Sequence, residues 1–366
     1  MHIIVNATAL FEGGAKTILL QFINNAEKDI ENSYYIFISN KLALPNAKNI
    51  FFYTVEPIGW FGRIRWDSVG LLRYCNRLHI DYDIVISLQN TSIKTNKEQY
   101  VYIHQSLPFT KERIILNDFL SLKLVIYRYF YLFFIKRFIT NKTCFIVQTE
   151  WMKNALMQHF DAASIYVICP DYSLPSLPYV PKKINGANDF IILYPAKPIC
   201  YKNHMVLIDA LYKLKNDGVI NCVLLVTFSR GECKWFDRRV AKLDLFENIE
   251  YLGVLDQSTL ANYYMNCDTV VFPSYIETFG LPLAEAASLN KYIIASDLPY
   301  AKEVLSGYDK VIFTNYLSSK AWAENISKLV SKKHRGELDD TFCDFNFNNS
   351  HKDGWSLFFK LINKNK

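Results

Sequence analysis

Twice along this sequence, short apolar runs of strand length alternate with segments long enough for a helix. The first series falls at residues 3–5, 35–38, 84–88, 101–104 and 144–149, the second at 190–194, 223–228, 249–252, 269–272 and 292–295. Strands recurring at that interval, each followed by room for a crossover helix, predict two parallel sheets and an α/β chain of two Rossmann-like domains. Between the series stand Pro170, Pro175, Pro178 and Pro181, then Asn185-Gly186-Ala187-Asn188, a composition suited to a linker. The predicted division is a domain over 1–172, a linker over 173–188, a domain over 189–350 and a C-terminal helix over 351–366. In that last segment Trp355, Phe358, Phe359 and Ile362 share one helical face that needs a partner. A chain of 366 residues also exceeds the size at which one core usually stops growing.

Hydrophobic residues at 51% and charged residues at 21% exclude a disordered chain. The eight cysteines are scattered without a C-x-x-C pair, so they read as reduced and buried, and a cytoplasmic location is expected. Residues 1–10 read as a first strand, with no basic lead, apolar stretch and cleavage site for export. Charge is uneven. Residues 1–185 hold 20 Lys and Arg against 14 Asp and Glu, whereas 186–366 hold 21 of each, so the whole +6 lies in the first half. That excess suits an anionic membrane surface or a phosphate-bearing partner and is too small for a nucleic-acid binder.

Residues 111–142 carry seven Lys and Arg among Tyr127, Tyr129, Phe130, Tyr131, Phe133, Phe134 and Phe138. Arg128, Lys136 and Arg137 break the apolar runs, which are too short to span a bilayer. Two readings stay open for this segment: a helix lying in a membrane interface, or a buried crossover helix.

The strongest local pattern is Phe272-Pro273-Ser274-Tyr275-Ile276-Glu277-Thr278-Phe279-Gly280-Leu281-Pro282-Leu283-Ala284-Glu285-Ala286, directly after a strand. Gly280 and Pro282 predict a tight turn opening a helix at about Leu283, whose first amides suit phosphate or sugar oxygens. Glu277 before the turn and Glu285 after it are acceptor-only groups when ionised, fitted to sugar and ribose hydroxyls. This pattern resembles the E-x7-E motif of retaining glycosyltransferases of family 4, which have the GT-B fold. Asn248-Ile249-Glu250-Tyr251-Leu252-Gly253 and Asn266-Cys267-Asp268 upstream, and Ala295-Ser296-Asp297-Leu298-Pro299 with Glu303-Val304 downstream, resemble segments of the same family. The resemblance is specific over about residues 190–310.

Its implications are concrete. The two sheets are expected to face an interdomain cleft, with the C-terminal helix packing back on the N-terminal domain. After the strand 190–194, Lys197 and Lys202 stand where the family carries Arg, four residues, Lys, and two ammonium groups there suit a diphosphate. Lys197 offers a point charge where the family has a bidentate fork. Glu285 is expected to hold ribose hydroxyls and Glu277 hexose hydroxyls, with Gly253, Phe279, Gly280 and Leu281 completing the donor site. Gly13-Gly14, read as a loop before a helix starting near Ile18, resembles the family's phosphate and acceptor loop. His104, ending its strand, resembles a histidine that contacts the donor sugar. Glu277, Lys202 and His104 are thus the candidate catalytic residues. Asp81-Tyr82-Asp83 spells a D-x-D triplet, but its place before a strand reads as a turn, and neither a metal nor any other cofactor is expected.

The expected activity is transfer of a hexose-type sugar from a UDP- or GDP-sugar, with retention, to a saccharide hydroxyl. By resemblance the acceptor is linked to polyprenyl diphosphate, in O-antigen, capsule or lipopolysaccharide synthesis at the inner face of the cytoplasmic membrane. A nucleotide-sugar epimerase of the same fold and an inactive nucleotide-sugar-binding subunit are the alternatives.

Overall fold

The computed structural model describes residues 1–56, 59–115, 119–160, 164–172, 189–219, 221–338 and 354–364. The linker expected over 173–188 lies outside the described residues, as do 351–353 and 365–366 of the last segment. The chain divides into two compact units. The first gathers Met1–Thr110, Ile126–Asp171 and Ser350–Lys366, and the second gathers Lys111–Val125 and Tyr172–Asn349.

The first unit is built on β1 (His2–Ala7), β2 (Ser33–Ile38), β3 (Ile50–Thr54), β4 (Ile84–Ser87), β5 (Glu98–Ile103), β6 (Thr143–Val147) and β7 (Ser164–Val167). They pair in parallel in the order β3-β2-β1-β4-β5-β6-β7. Alternate side chains of β1 serve different cores: Ile3 and Val5 join Phe22, while Ile4 joins Phe37, Leu71 and Val85. A strand covered on both faces must be apolar throughout, which is why β1 stands out in the sequence. The second unit carries β8 (Phe190–Tyr194), β9 (Cys222–Val226), β10 (Ile249–Tyr251), β11 (Thr269–Phe272), β12 (Tyr292–Ser296) and β13 (Val311–Thr314), parallel in the order β10-β9-β8-β11-β12-β13. Strand order reverses beside β1 in one sheet and beside β8 in the other. Such switch points leave a crevice at the carboxyl ends of the strands where ligands bind.

The sequence reading passed over β3, β7 and β13. All three are edge strands, and most of their residues are only partly buried.

The C-terminal helix Gly354–Asn363 completes the core of the first unit, as expected. Trp355 stacks on Tyr102 with ring centroids 5.7 Å apart, and its Nε1 donates to Gln21 Oε1 at 3.0 Å. Phe358 meets Tyr100 edge-on at 5.8 Å. A Cβ added to Gly354 would lie 2.4 Å from the Cys169 carbonyl oxygen, so only glycine lets these backbones approach so closely.

The helix Phe119–Lys136 is buried on one face, as a crossover helix would be, and exposed on the other. Tyr131 and Ile135 are buried with Val101 and Phe145. On the other side Ile126, Tyr129, Phe130 and Phe133 are 53–76% exposed and recur at helical spacing. Among the described residues, no helix is long and apolar enough to cross a membrane.

Candidate active site

Both strongest sequence patterns leave the two strands that flank the second unit's switch point, β8 and β11. After β8 the chain makes a 3-10 turn, Cys200–Lys202, and Asn203 follows in the left-handed conformation at φ 58°, which asparagine tolerates better than most residues. The Asn203 Nδ2 donates to the Tyr316 carbonyl at 2.7 Å and to that of Pro273 at 3.4 Å. The Tyr194 hydroxyl donates to the Lys202 carbonyl at 2.5 Å. From the β11 side, the Tyr275 amide donates to the Tyr201 carbonyl at 3.0 Å, and Tyr300 OH donates to the Ser274 carbonyl at 2.7 Å. These bonds fix the lysine loop against the glutamate loop. Lys202 and Glu277, 75 residues apart in sequence, form an ion pair there, with side chains only 18% and 14% exposed. The Lys202 ammonium also lies 5.4 Å from the Phe272 ring centroid.

A largely desolvated pair of this kind adds little to stability but presents a cation and an acceptor ready oriented. Beside it the helix Leu281–Ser288 begins two residues earlier than expected. Gly280 takes φ 83° and Pro282 fits the first turn, where its missing N–H costs nothing. Phe279 is buried.

Glu285 lies one turn into this helix and accepts from Tyr264 OH at 2.9 Å. The residue is half-buried, but its carboxyl is withdrawn from water. Burial pushes it up to about 7, with the Tyr264 hydrogen bond acting in the opposite direction. The sign follows directly. A carboxyl raised from 4.5 to about 7 takes up a proton on folding, so its contribution favours the folded state below about 4.5 and is lost as pH rises through about 7. Glu285→Gln is therefore expected to raise Tm at pH 8 and leave it nearly unchanged at pH 4.5, and an equal shift at both would contradict the assignment. Hydroxyl donors prefer the ionised form, so affinity for a nucleotide sugar is expected to rise from pH 6 to pH 8 in the wild type and stay flat in the variant.

Lys197 is exposed on the loop after β8, and its carbonyl accepts from the Ile199 amide at 2.8 Å. Gly253 sits past the end of β10 at φ 71°, its amide 3.3 Å from the Phe228 carbonyl. In the first unit the helix Gly13–Ala26 begins at Gly13 and not near Ile18. Gly13 and Gly14 are thus its first turn rather than a loop before it. Gly13 has φ 58°, and a Cβ on Gly14 would meet nothing within 4 Å. Amides of such a turn have no partner inside the helix.

His104 directly follows β5, and its backbone amide donates to Asn90 Oδ1 at 2.6 Å. Burial pulls its imidazole down to about 4, with a Leu88 backbone hydrogen bond acting in the opposite direction, so it is neutral at pH 7. In the D-x-D triplet, Asp83 Oδ2 accepts from the His2 amide at 2.9 Å and Asp81 Oδ1 accepts from the Tyr82 amide at 2.9 Å. Both carboxylates accept from backbone amides.

The sequence reading missed the tyrosines that hold the site, Tyr194, Tyr264 and Tyr300. Nothing in their spacing singles them out. Asn203 could have been found, since asparagine between a turn and a helix suggests a left-handed residue.

Residues 180–342 match the model of the family described as glycosyl transferases group 1. The O-antigen chain mannosyltransferase RfbU of Salmonella typhimurium is 29% identical over 107 residues, 29% of this chain and 28% of that protein. The capsular polysaccharide biosynthesis glycosyltransferase CapH of Staphylococcus aureus is 30% identical over 166 residues, 43% of this chain and 44% of that protein. The chain thus spans less than half the length of these curated relatives. Among solved structures, Anabaena Alr3699/HepE in complex with UDP-glucose superposes with a TM-score of 0.68 at 16% identity, covering 98% of this chain and 100% of that one. WaaG, a glycosyltransferase involved in lipopolysaccharide biosynthesis, gives 0.67 at 12% identity over 99% and 98%. These likenesses define the fold as GT-B, with two Rossmann-like domains.

Proposed function

We propose that this chain is a retaining, metal-independent glycosyltransferase of family 4 that moves a hexose-type sugar from a UDP- or GDP-sugar to a saccharide hydroxyl. The observation that carries the reading is the Lys202–Glu277 pair at the carboxyl ends of β8 and β11, beside a helix start whose first amides are unpaired within the helix. The family match over 180–342 covers this region, and the partial relatives named above act in O-antigen and capsule synthesis.

In this reading Lys202, Lys197 and the amides of Gly280 and Leu281 hold the diphosphate and stabilise the charge left on it as the glycosidic bond breaks. Glu285 accepts from ribose hydroxyls and Glu277 from the hexose, and Gly253 and Phe279 shape the donor site. The leaving phosphate oxygen takes the acceptor's proton on the same face, so the protein supplies position and charge rather than a nucleophile. His104 and the Gly13-Gly14 turn serve the transfer from the first unit. Thermal-shift titration with UDP, GDP and ADP and their sugar conjugates tests the donor site. Stabilisation by one nucleotide, abolished in Lys202→Ala, is expected; no shift with any of them would refute the reading.

The acceptor is a saccharide linked to polyprenyl diphosphate, used at the cytoplasmic face of a membrane in surface-polysaccharide synthesis. The exposed aromatic stripe of the helix Phe119–Lys136, with Lys136 and Arg137 also exposed, supports contact with an anionic surface. The double variant Phe130→Ser/Phe133→Ser is expected to abolish co-sedimentation with vesicles containing phosphatidylglycerol while leaving nucleotide affinity unchanged. Undiminished co-sedimentation would remove the helix from this role.

A further inference from the structure

The second unit takes in Lys111–Val125, a stretch of chain that follows Thr110 and precedes Ile126 of the first. Residues 111–115 run as a strap that is neither helix nor strand. They make two polar contacts with loops at the carboxyl ends of the second sheet. The Ile115 amide donates to Tyr275 OH at 2.9 Å, and Tyr316 OH donates to Glu112 Oε2. Tyr275 lies three residues past the end of β11 and Tyr316 two past the end of β13. Their rings stack with centroids 5.1 Å apart and planes at 21°.

Each tyrosine in turn holds one side of Lys202. The Tyr275 amide donates to the Tyr201 carbonyl at 3.0 Å, and the Tyr316 carbonyl accepts from Asn203 Nδ2 at 2.7 Å. Tyr201 and Asn203 are the residues immediately before and after Lys202, and Tyr275 stands two residues before Glu277. Both partners of the Lys202–Glu277 ion pair are therefore tied, through two stacked rings, to the strap. The strap bonds join residues 160 and 204 positions apart, so nothing local in the sequence calls for them.

The chemistry of these contacts suits fixing rather than binding. Tyr275 is only 1% exposed, and a phenol so deeply buried needs a partner for its hydroxyl, which the Ile115 amide provides. A phenol donating to a carboxylate makes a charge-assisted bond, stronger and more directional than a neutral one. A carboxylate has the wrong sign to hold a diphosphate itself, so what Glu112 contributes passes through Tyr316. Long side chains keep a reactive geometry only while the backbone beneath them is fixed, and a displacement of about 1 Å can cost about 10²-fold in rate.

We infer that Glu112 and the Ile115 amide are positioning groups for the transfer: through Tyr316 and Tyr275 they fix the direction in which Lys202 and Glu277 present their charges. The inference rests on the transferase reading and deepens it by tying the donor loops to a strap from far earlier in the chain.

The test uses Glu112→Ala, Glu112→Gln and Tyr275→Phe in the full chain. Three quantities are read: kcat with saturating donor, affinity for UDP or GDP, and amide hydrogen exchange in peptides covering 199–204 and 273–280. Glu112→Ala is expected to lower kcat about ten-fold, roughly the worth of one hydrogen bond to a charged group. Nucleotide affinity is expected to change by less than about three-fold, because Lys197, Glu285 and the amides of Gly280 and Leu281 still hold the ground state. Glu112→Gln keeps an acceptor oxygen for Tyr316 and is expected to restore kcat to within about three-fold of wild type. Tyr275→Phe keeps the ring and the amide bond to Tyr201, loses only the acceptor of the Ile115 amide, and is expected to lower kcat about five-fold. Exchange in both peptides is expected to quicken about ten-fold in Glu112→Ala and far less in Glu112→Gln. A kcat within about two-fold of wild type in Glu112→Ala, the level of an ordinary surface change, overturns the role whatever happens to Tm. So does a loss that Glu112→Gln fails to rescue, a nucleotide affinity that falls as steeply as kcat, or unchanged exchange in both loops. Wild-type turnover with indifferent Glu112 variants refutes the strap alone. A wild type that neither binds a nucleoside diphosphate nor transfers sugar refutes the transferase reading, and the positioning role falls with it.

Discussion

Replacing Lys202 by alanine is expected to lower turnover about 10²- to 10³-fold, the range seen when one pre-oriented stabilising group is removed from a developing charge. The turn that carries the ammonium is held by side-chain bonds, from Tyr194 OH to the Lys202 carbonyl and from Asn203 Nδ2 to the Tyr316 carbonyl, so it needs little reorganisation as charge builds on the leaving diphosphate. Glu277→Ala is expected to cost a similar factor, because it removes the acceptor and releases the lysine. Residues acting as one unit are not additive, so the double variant is expected to be scarcely slower than either single one. Steady-state kcat with saturating donor checks all three. Each single variant also leaves a mostly buried group without its partner, and Tm should be recorded beside the rates. Turnover within a few fold of wild type in Glu277→Ala would move the chemistry away from this pair.

The second large effect is on stability. Phe358 is 0% exposed and packs against Phe22, Tyr100, Trp355 and Phe359. Phe358→Ala is expected to destabilise the first unit by about 3–5 kcal/mol, from lost burial and the cavity left behind. Urea unfolding followed by tryptophan fluorescence measures it. A cost under about 1 kcal/mol, the level of an ordinary surface change, would mean that the helix merely rests on the sheet. Deleting residues 354–366 strips Trp355, Phe359 and Ile362 from the same core, and that unit is expected not to fold.

The strands buried on both faces were legible because continuous apolar runs are the only way to fill two cores at once. β1 and β8 show this plainly, whereas the half-exposed edge strands β3, β7 and β13 did not stand out. The turn at Gly280 was legible from its glycine and proline, although the helix starts at Leu281 because Leu281 and Pro282 belong to the first turn themselves. Gly13 deceived in the other direction: a Gly-Gly pair reads as a loop, yet the helix begins at it, with Gly13 itself in the left-handed region. The donor loops were found by their charged residues, while the bonds that align them come from Tyr194, Asn203 and Tyr300, whose roles arise only when distant loops meet. Glu112 was invisible for the same reason. Its partner Tyr316 lies 204 positions away, and a single glutamate between a lysine and an arginine carries no spacing signal.

The bond from Trp355 to Gln21 joins residues 334 positions apart. A ribosome making this chain releases all seven strands of the first sheet long before the aromatic face that covers them. The second unit can therefore close while the first still waits with an open core. The order of completion runs opposite to the order of synthesis, and a product that stops between residues 349 and 354 carries a finished second unit on an unfinished first one.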